Sequence, residues 1–397
     1  MYHVTCIDIH KKDPLYPYLD RACLCANNMY NVSNFYIRNL MTGLRKDLSA
    51  RTVNERDVID TVTGSIPGIN EKLREKHDLK VRNILKKEGL SEQERADRAA
   101  KVKCVQFSAP TAAKWFASYG LLDAVFKYTD NADYRSFHIH VMQHAIKECC
   151  QAWKGHFEGL KAYDPSGHAG KPKIPGYKRS GGRTAAVFSN IACSIKHGML
   201  FFPCYREEKD AGKKRKRCGI PVRGILRASE EKLIEVRAVP YFGLFQLQIV
   251  TDDGIPEEAL LPDEKDIIHE DGSPSGVMML DPGLNNFASI ADNKGNMPIV
   301  IKGGAIKACN QWYNKRMAAL RSAQMKGHDP KTYHPPMTRQ MERISRKRDA
   351  ILRDAFYKYA HYIFRLMEER GLSYLIVGYN REQKQGMKLV RVGRANV

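Results

Sequence analysis

The sequence has no C-x-x-C anywhere, although it holds ten cysteines. Zinc ribbons and fingers take thiolates in such pairs, so none is encoded in these residues. Cys23 and Cys25 fall in a helical pattern, Cys149 and Cys150 are adjacent, and the others are scattered. We expect reduced, mostly buried thiols rather than disulfides or a metal site. Long apolar runs are also missing: nothing approaches the ~20 residues a bilayer span needs. No segment has the pattern of a strong amphipathic membrane helix, and no charged-then-apolar start marks a secretory signal. A cytosolic protein with no membrane partner is the expectation.

Acid is scarce as well. Only 44 Asp+Glu stand against 65 Lys+Arg, a formal net charge of +21. An excess of that size repels itself unless a polyanion neutralises it, so nucleic acid is the first partner to suspect. With 397 residues, 43% of them apolar and 27% charged, the chain is long enough to bury two or three cores.

The chain opens with "YHVTCIDI", where Tyr2, Val4, Cys6 and Asp8 alternate against His3, Thr5, Ile7 and Ile9. Leu19, Cys23, Ala26, Tyr30, Ser33, Ile37 and Leu40 then recur at helical spacing. Helical patterns continue to about Tyr163, ending in a face of Phe137, Val141, Ala145, Cys149, Trp153, Phe157 and Leu160. Next comes "DPSGHAGKPKIPGYKRSGG", too rich in Gly and Pro for helix, then short strands such as "FQLQIV" with Phe245, Leu247 and Ile249 on one face. Such strands suit a small antiparallel barrel. The first strand joins it, which makes the helices an insertion. After an acidic linker the order becomes strand (277–281), strand (286–291), an Asp292-Asn293-Lys294-Gly295 turn, strand (297–302), helix (305–324), long helix (337–370) and strand (374–379). That order opens an RNase H-like fold. The expectation is thus an α+β multidomain chain: a barrel over 1–12 and 166–262, helices over 13–165, a linker over 263–276 and an incomplete RNase H-like α/β domain over 277–397.

The stretch "LDPGLNNFASI" ends an apolar strand in a carboxylate, Asp281, followed by a turn. With Gly283 and Asn286 it resembles D-x-G-x-x-N, the first RuvC motif of TnpB, the transposon-encoded OrfB-type family ancestral to type V CRISPR effectors. "GGAIKACNQWYNKRMAALRS" and "KPKIPGYKRSGG" are similar to further family blocks. "YLIVGYNREQKQGMKL", with Asn380 and Lys384, looks like the family's I-G-Y-N-x-x-x-K-Q version. The resemblance runs from the first strand to the last residue. It implies an RNA-guided DNA endonuclease of the bacterial cytoplasm, associated with the nucleoid. The barrel would be a wedge domain gripping a guide RNA derived from the transposon end, and the inserted helices a recognition lobe around the guide–target heteroduplex. Base pairing would then read the double-stranded DNA target and the protein only a short adjacent motif.

In the family the first aspartate bridges two Mg²⁺ ions, and Asp281 is the catalytic and metal-binding candidate. One carboxylate cannot hold two hard cations, which take oxygens from several sources. The strand that returns at 374–379 carries no glutamate, Glu382 comes a few residues later, and the zinc-binding cysteine pairs and third acid of the family do not appear before Val397. The family resemblance therefore admits two forms, a nuclease represented in part and a shortened, nuclease-dead RNA-guided repressor. A strand-joining transposase would need a full carboxylate triad or a tyrosine beside a histidine pair, and neither is visible.

Cationic clusters supply the candidate nucleic-acid contacts. Lys171, Lys173, Tyr177, Lys178 and Arg179 mix cations with an aromatic in a loop, a composition that suits phosphate gripping with stacking or a plain linker. Lys213, Lys214, Arg215, Lys216 and Arg217 suit phosphate contact, a localisation signal or a hairpin tip. Arg343, Arg346, Lys347 and Arg348 mark either a heteroduplex-facing surface or the solvated side of a long helix. His140 and His144 are spaced i,i+4 beside His138, but without a third ligand they read as an ordinary helix. Trp115, Trp153 and Trp312 read as core residues in helices.

Overall fold

Alternation in the first eight residues makes β1 (Tyr2–Ile9), whose odd-numbered side chains turn inward to the buried Ile9. Pro17 opens α1 (Tyr16–Gly43), where a missing backbone N–H costs nothing. All seven residues of its expected apolar face are buried. The computed structural model describes residues 2–87, 89, 91–165, 170–204, 218–226, 232–255, 275–283, 285–329 and 332–378. It divides into two units, Tyr2–Gly254 and the chain from Ile255 on.

In the first unit α1 is followed by α2 (Val53–Leu85), α3 (Glu92–Ala100), α4 (Tyr119–Tyr128), α5 (Ala132–Arg135) and α6 (Ile139–Lys161). Capping boxes start α2 (Thr52 with Glu55) and α3 (Ser91 with Glu94), each satisfying two otherwise orphaned N–H groups. The helical pattern is interrupted between α3 and α4. There the chain is extended, held where Asn70 accepts from the Phe107 N–H and donates to its carbonyl. Trp115 lies in this extended segment and not in a helix. It packs edge-on against Trp153 at 5.6 Å.

The strands are β2 (Ala186–Ser189), β3 (Ser194–Lys196), β4 (Met199–Phe201), β5 (Gly219–Pro221), β6 (Leu233–Tyr241) and β7 (Leu244–Asp252). They form an open sheet in the order β1-β7-β6-β2 and a separate β3-β4-β5 sheet. Among the described residues no closed barrel is present, contrary to the sequence expectation. β2 is only four residues long, and α1 covers one face of the sheet. Its Tyr16 ring meets Phe245 at 4.9 Å, and its Cys23 thiol donates to the Ala238 carbonyl. Closure would need that space. Two hairpins turn on His197-Gly198 and Phe242-Gly243, both residues of each pair at positive φ, the two-residue geometry that matches strand twist.

The second unit starts with β8 (Val277–Pro282), β9 (Asn286–Asp292) and β10 (Ile299–Lys302), antiparallel neighbours. Two helices follow, α7 (Gly304–Met325) and α8 (Arg339–Glu369), and β11 (Tyr374–Val377) returns parallel to β8. The sheet order is β10-β9-β8-β11. Met278, Leu280, Ala288, Ile290 and Ile301 pack one face of it onto Ile363, Leu366 and Met367 of α8. Among the described residues no helix is long and apolar enough to cross a membrane.

Candidate carboxylate corner and nucleic-acid surfaces

Successive side chains of a strand point to opposite faces. Met278 and Leu280 point into the α8 side, so Met279 and Asp281 share the opposite face, where Met279 is 45% exposed. Asp281 stands opposite Ser289 of β9. Beside it on the other flank comes the end of β11. Val377 pairs with Leu280, and the Gly378 N–H donates to the Leu280 carbonyl at 2.8 Å. Gly378 fits there by lacking a side chain: a Cβ would stand 3.2 Å from Asp281 Oδ1. Met279, Asp281, Ser289, Val300, Ile376 and Gly378 line an open concavity of about 440 Å³.

Asp281 is thus an exposed carboxylate at a strand end. Among the described residues no group of three His, Cys, Asp or Glu is placed to hold a metal ion. The donor set described is one carboxylate, which does not fit a pair of Mg²⁺ ions. Gly283 and Asn286 flank the turn after β8, and the Asn286 backbone carbonyl lies 3.2 Å from where a Gly283 Cβ would stand. Asn380, Glu382, Lys384 and the Lys213–Arg217 cluster lie outside the described residues.

The five residues of the basic loop do not behave alike. Lys171, Lys173, Tyr177 and Arg179 are exposed. Lys178 is turned inward: its ammonium meets Glu148 and Thr184, both at 2.6 Å, and lies 4.1 Å from the Tyr30 ring centroid. It anchors the loop and is not presented to a ligand. Arg38 of α1 stacks on Tyr177 at 4.9 Å. Arg38 was not singled out in the sequence, nor were Asn27, Asn31 and Asn34. The available signal was their recurrence at helical spacing beside the buried face of α1.

On α8 the four cations divide as well. Arg343 is exposed and Arg346 half-buried. Lys347 lies over the Trp312 ring of α7 at 5.9 Å. Arg348 stacks on Tyr313 at 5.2 Å and donates to Asn310 at 2.9 Å and Asp349 at 3.1 Å. Trp312 is 44% exposed, so this tryptophan is not core. The histidines also have structural surroundings. His138 precedes the first turn of α6, and its ring stacks on His140, whose Nδ1 pairs with Ser189 Oγ at 2.8 Å. Burial, aided by His140, pushes the His138 pKa down to about 4. Burial lowers that of His144 too. Burial raises the Cys23, Cys150 and Cys193 thiols to about 12, as expected of inert core thiols.

A basic α+β chain whose second unit sets a carboxylate at the end of its first strand, beside a parallel returning strand, is thereby defined. Residues 264–384 match the OrfB_IS605 family, described as "Probable transposase". The β8 motif lies inside that stretch, which makes up less than half of the chain and is similar to that family. No curated protein matches the chain. Among solved structures, a Cas12f1–sgRNA–target DNA complex is 11% identical with a TM-score of 0.20, the alignment covering 97% of this chain and 75% of that one. A CRISPR–Cas12f ternary complex is 10% identical with a TM-score of 0.23, covering 83% and 64%. TM-scores of that size do not define a shared arrangement of elements, so the likeness to the family rests on the match over residues 264–384.

Proposed function

We propose that this chain binds a structured guide RNA and, through it, recognises a double-stranded DNA target, in the manner of a TnpB-type protein. In this reading the second unit is an RNase H-like, RuvC-type body and Asp281 is its first metal-ligating carboxylate. The observation that carries the reading is the family match over residues 264–384, which contains a motif whose aspartate lies at the end of β8, between β9 and β11. The excess of 65 cations over 44 acids agrees with it, since each phosphate neutralised releases a condensed counterion.

In the full family Mg²⁺ would supply charge neutralisation at the scissile phosphate, and Asp281 is the residue here that would ligate it. One carboxylate does not complete that site. The described residues bind and orient: exposed cations hold phosphates, and exposed aromatics offer stacking faces to unpaired bases.

The test is purification of the chain from a host expressing its own transposon-end transcript, followed by incubation of a matched duplex with and without Mg²⁺. Co-purifying RNase-sensitive RNA and a duplex shift that depends on it are expected. Product that needs Mg²⁺ and vanishes in Asp281→Ala would assign the ligand role, whereas a shift without product would identify an RNA-guided binder or repressor. A preparation free of nucleic acid and unable to bind RNA would overturn the proposal.

A further inference from the structure

We propose that residues 170–184 form a preorganised strap for RNA phosphates, and that Asn27, Asn31, Asn34 and Arg38 are its positioning residues. The inference rests on the RNA-binding reading above and adds which surface grips and how it is held. A segment so rich in Gly, Pro and Lys has no secondary structure of its own to fix it. Here it runs along α1 in the opposite direction and is tied down about once per helical turn.

Arg38 donates to the Pro175 carbonyl through Nη2 at 2.6 Å, and Asn34 donates to the carbonyls of Pro175 and Gly176. Asn31 both donates to the Lys178 carbonyl at 3.0 Å and accepts from its N–H at 2.7 Å. Asn27 donates to the Arg179 carbonyl at 3.0 Å. The Thr184 N–H then reaches the Cys23 carbonyl, and Arg183 makes a two-pronged pair with Asp20 at 2.9 and 2.6 Å. As the strap advances from 175 to 184 its partners step back through 38, 34, 31, 27, 23 and 20. At its start Pro172 abuts Gly159 of α6. At its far end Gly181 has a φ of +64, and a Cβ on Gly182 would stand 2.8 Å from the Arg179 carbonyl.

These bonds are spent on backbone carbonyls and on the inward Lys178. The outward side is left to Lys171, Lys173, Arg179 and the half-exposed Tyr177 under Arg38. Three cations and a cation-backed aromatic ring on an ordered backbone fit a phosphate chain with an unpaired base. Because the strap is already ordered, binding does not have to order it, and affinity rises accordingly. A purely structural strap would show the same hydrogen bonds but no effect on RNA.

The experiment compares the wild-type full chain, Asn31→Ala and the double variant Lys171→Ala/Lys173→Ala. A fluorescein-labelled RNA stem-loop is titrated at several salt concentrations, and amide exchange is followed across 170–184. Asn31 touches the strap only through its backbone, so Asn31→Ala is expected to speed exchange at Lys178 and weaken RNA roughly tenfold, with an unchanged salt slope. The lysine variant leaves exchange unchanged and lowers the salt slope by about two. Faster exchange with unchanged affinity in Asn31→Ala would overturn the positioning role. An unchanged slope in the lysine variant, which keeps every strap hydrogen bond, would overturn the phosphate contact even if Asn31→Ala failed to fold. A wild-type chain with a protected strap that binds no RNA would instead bring down the functional reading, and this inference with it.

Discussion

Arg370, the residue that closes α8, donates through Nη1 to Oδ2 of Asp292 at 2.7 Å, where the carboxylate is fully removed from solvent. The other Asp292 oxygen accepts from the N–H groups of Lys294 and Asn296 and from the Asn296 side chain. One carboxylate thus sets the turn after β9 and fastens the end of the longest helix of the second unit to it. Burial opposes its charge, but Arg370 and the turn N–H groups prevail and hold its pKa below the usual carboxylate range.

A depressed carboxylate pKa means the unfolded chain binds the proton first. The stability Asp292 contributes is therefore present above its unfolded value, about 3.9, and is lost as pH falls toward the folded one. Asp292→Ala should destabilise the second unit more than Arg370→Met, because it removes the acceptor of the turn's three donors as well as the ion pair, whereas Arg370→Met leaves those three bonds in place. Urea denaturation of both variants and the double variant checks this, with strong non-additivity expected for a contacting pair.

Glu55 has a comparable position at the start of α2. It accepts from Thr42 and Lys46, and from the Thr52 N–H as half of the capping box. The Lys46 bond first, then those from Thr42 and Thr52, draws its pKa down to about 2. Its contribution is therefore complete above about pH 4.5 and disappears between there and about pH 2. Thr52→Ala should cost about 1 kcal/mol, the usual loss for an N-cap. Glu55→Gln should flatten the acid limb of the stability profile, measured by denaturant midpoint against pH.

How far the fold could be read from sequence depended on whether its cause was local. The buried face of α1 follows from spacing alone, and every one of Leu19, Cys23, Ala26, Tyr30, Ser33, Ile37 and Leu40 is inside. The strand and helix order from β8 to β11 was equally visible, because each element carries its own period. Leu160 shows where periodicity ends, since the last residue of the α6 face is 37% exposed. The barrel failed because the placement of β2 and α1 around a sheet is not a local property. The α1 amides were missed for the same reason. Asn31 and Lys178 are 147 positions apart in the chain, and nothing near either residue announces the other. Lys178 looked like its neighbours in the loop, and only Glu148 and Tyr30 distinguish it.

His138 titrates in the opposite sense to a surface histidine. Burial, and then the neighbouring His140, hold its pKa at about 4, against about 6.5 in an unfolded chain. Between those values the unfolded state binds a proton that the folded state refuses, so stability falls as pH drops from about 6.5 to about 4. The ring is partly solvated, so the effect is smaller than the full shift would give. His138→Phe keeps a ring against His140 and should reduce the pH dependence in that window. Histidine ring resonances followed by NMR should show one ring still neutral at pH 5.

The Asp281–Gly378 contact yields the sharpest test of the carboxylate corner. Parallel pairing continues from Val377 opposite Leu280 to Gly378 beside Asp281, on the face that Met279 and Ile376 share. A side chain introduced at 378 therefore projects alongside Asp281 and has only to move its carboxylate by a few tenths of an ångström. Gly378→Asp should set two carboxylates on one exposed corner. Each then raises the other's pKa, and a divalent cation that takes oxygens from both relieves the repulsion. Mn²⁺ titrated by isothermal calorimetry should bind this variant at least about tenfold more tightly than the parent chain, consistent with added carboxylate charge tuning affinity. Adding Asp281→Ala should abolish the gain. Equal Mn²⁺ affinity in the variant and its parent would mean that β11 does not bring position 378 to Asp281, and that the corner is not where a second ligand would enter.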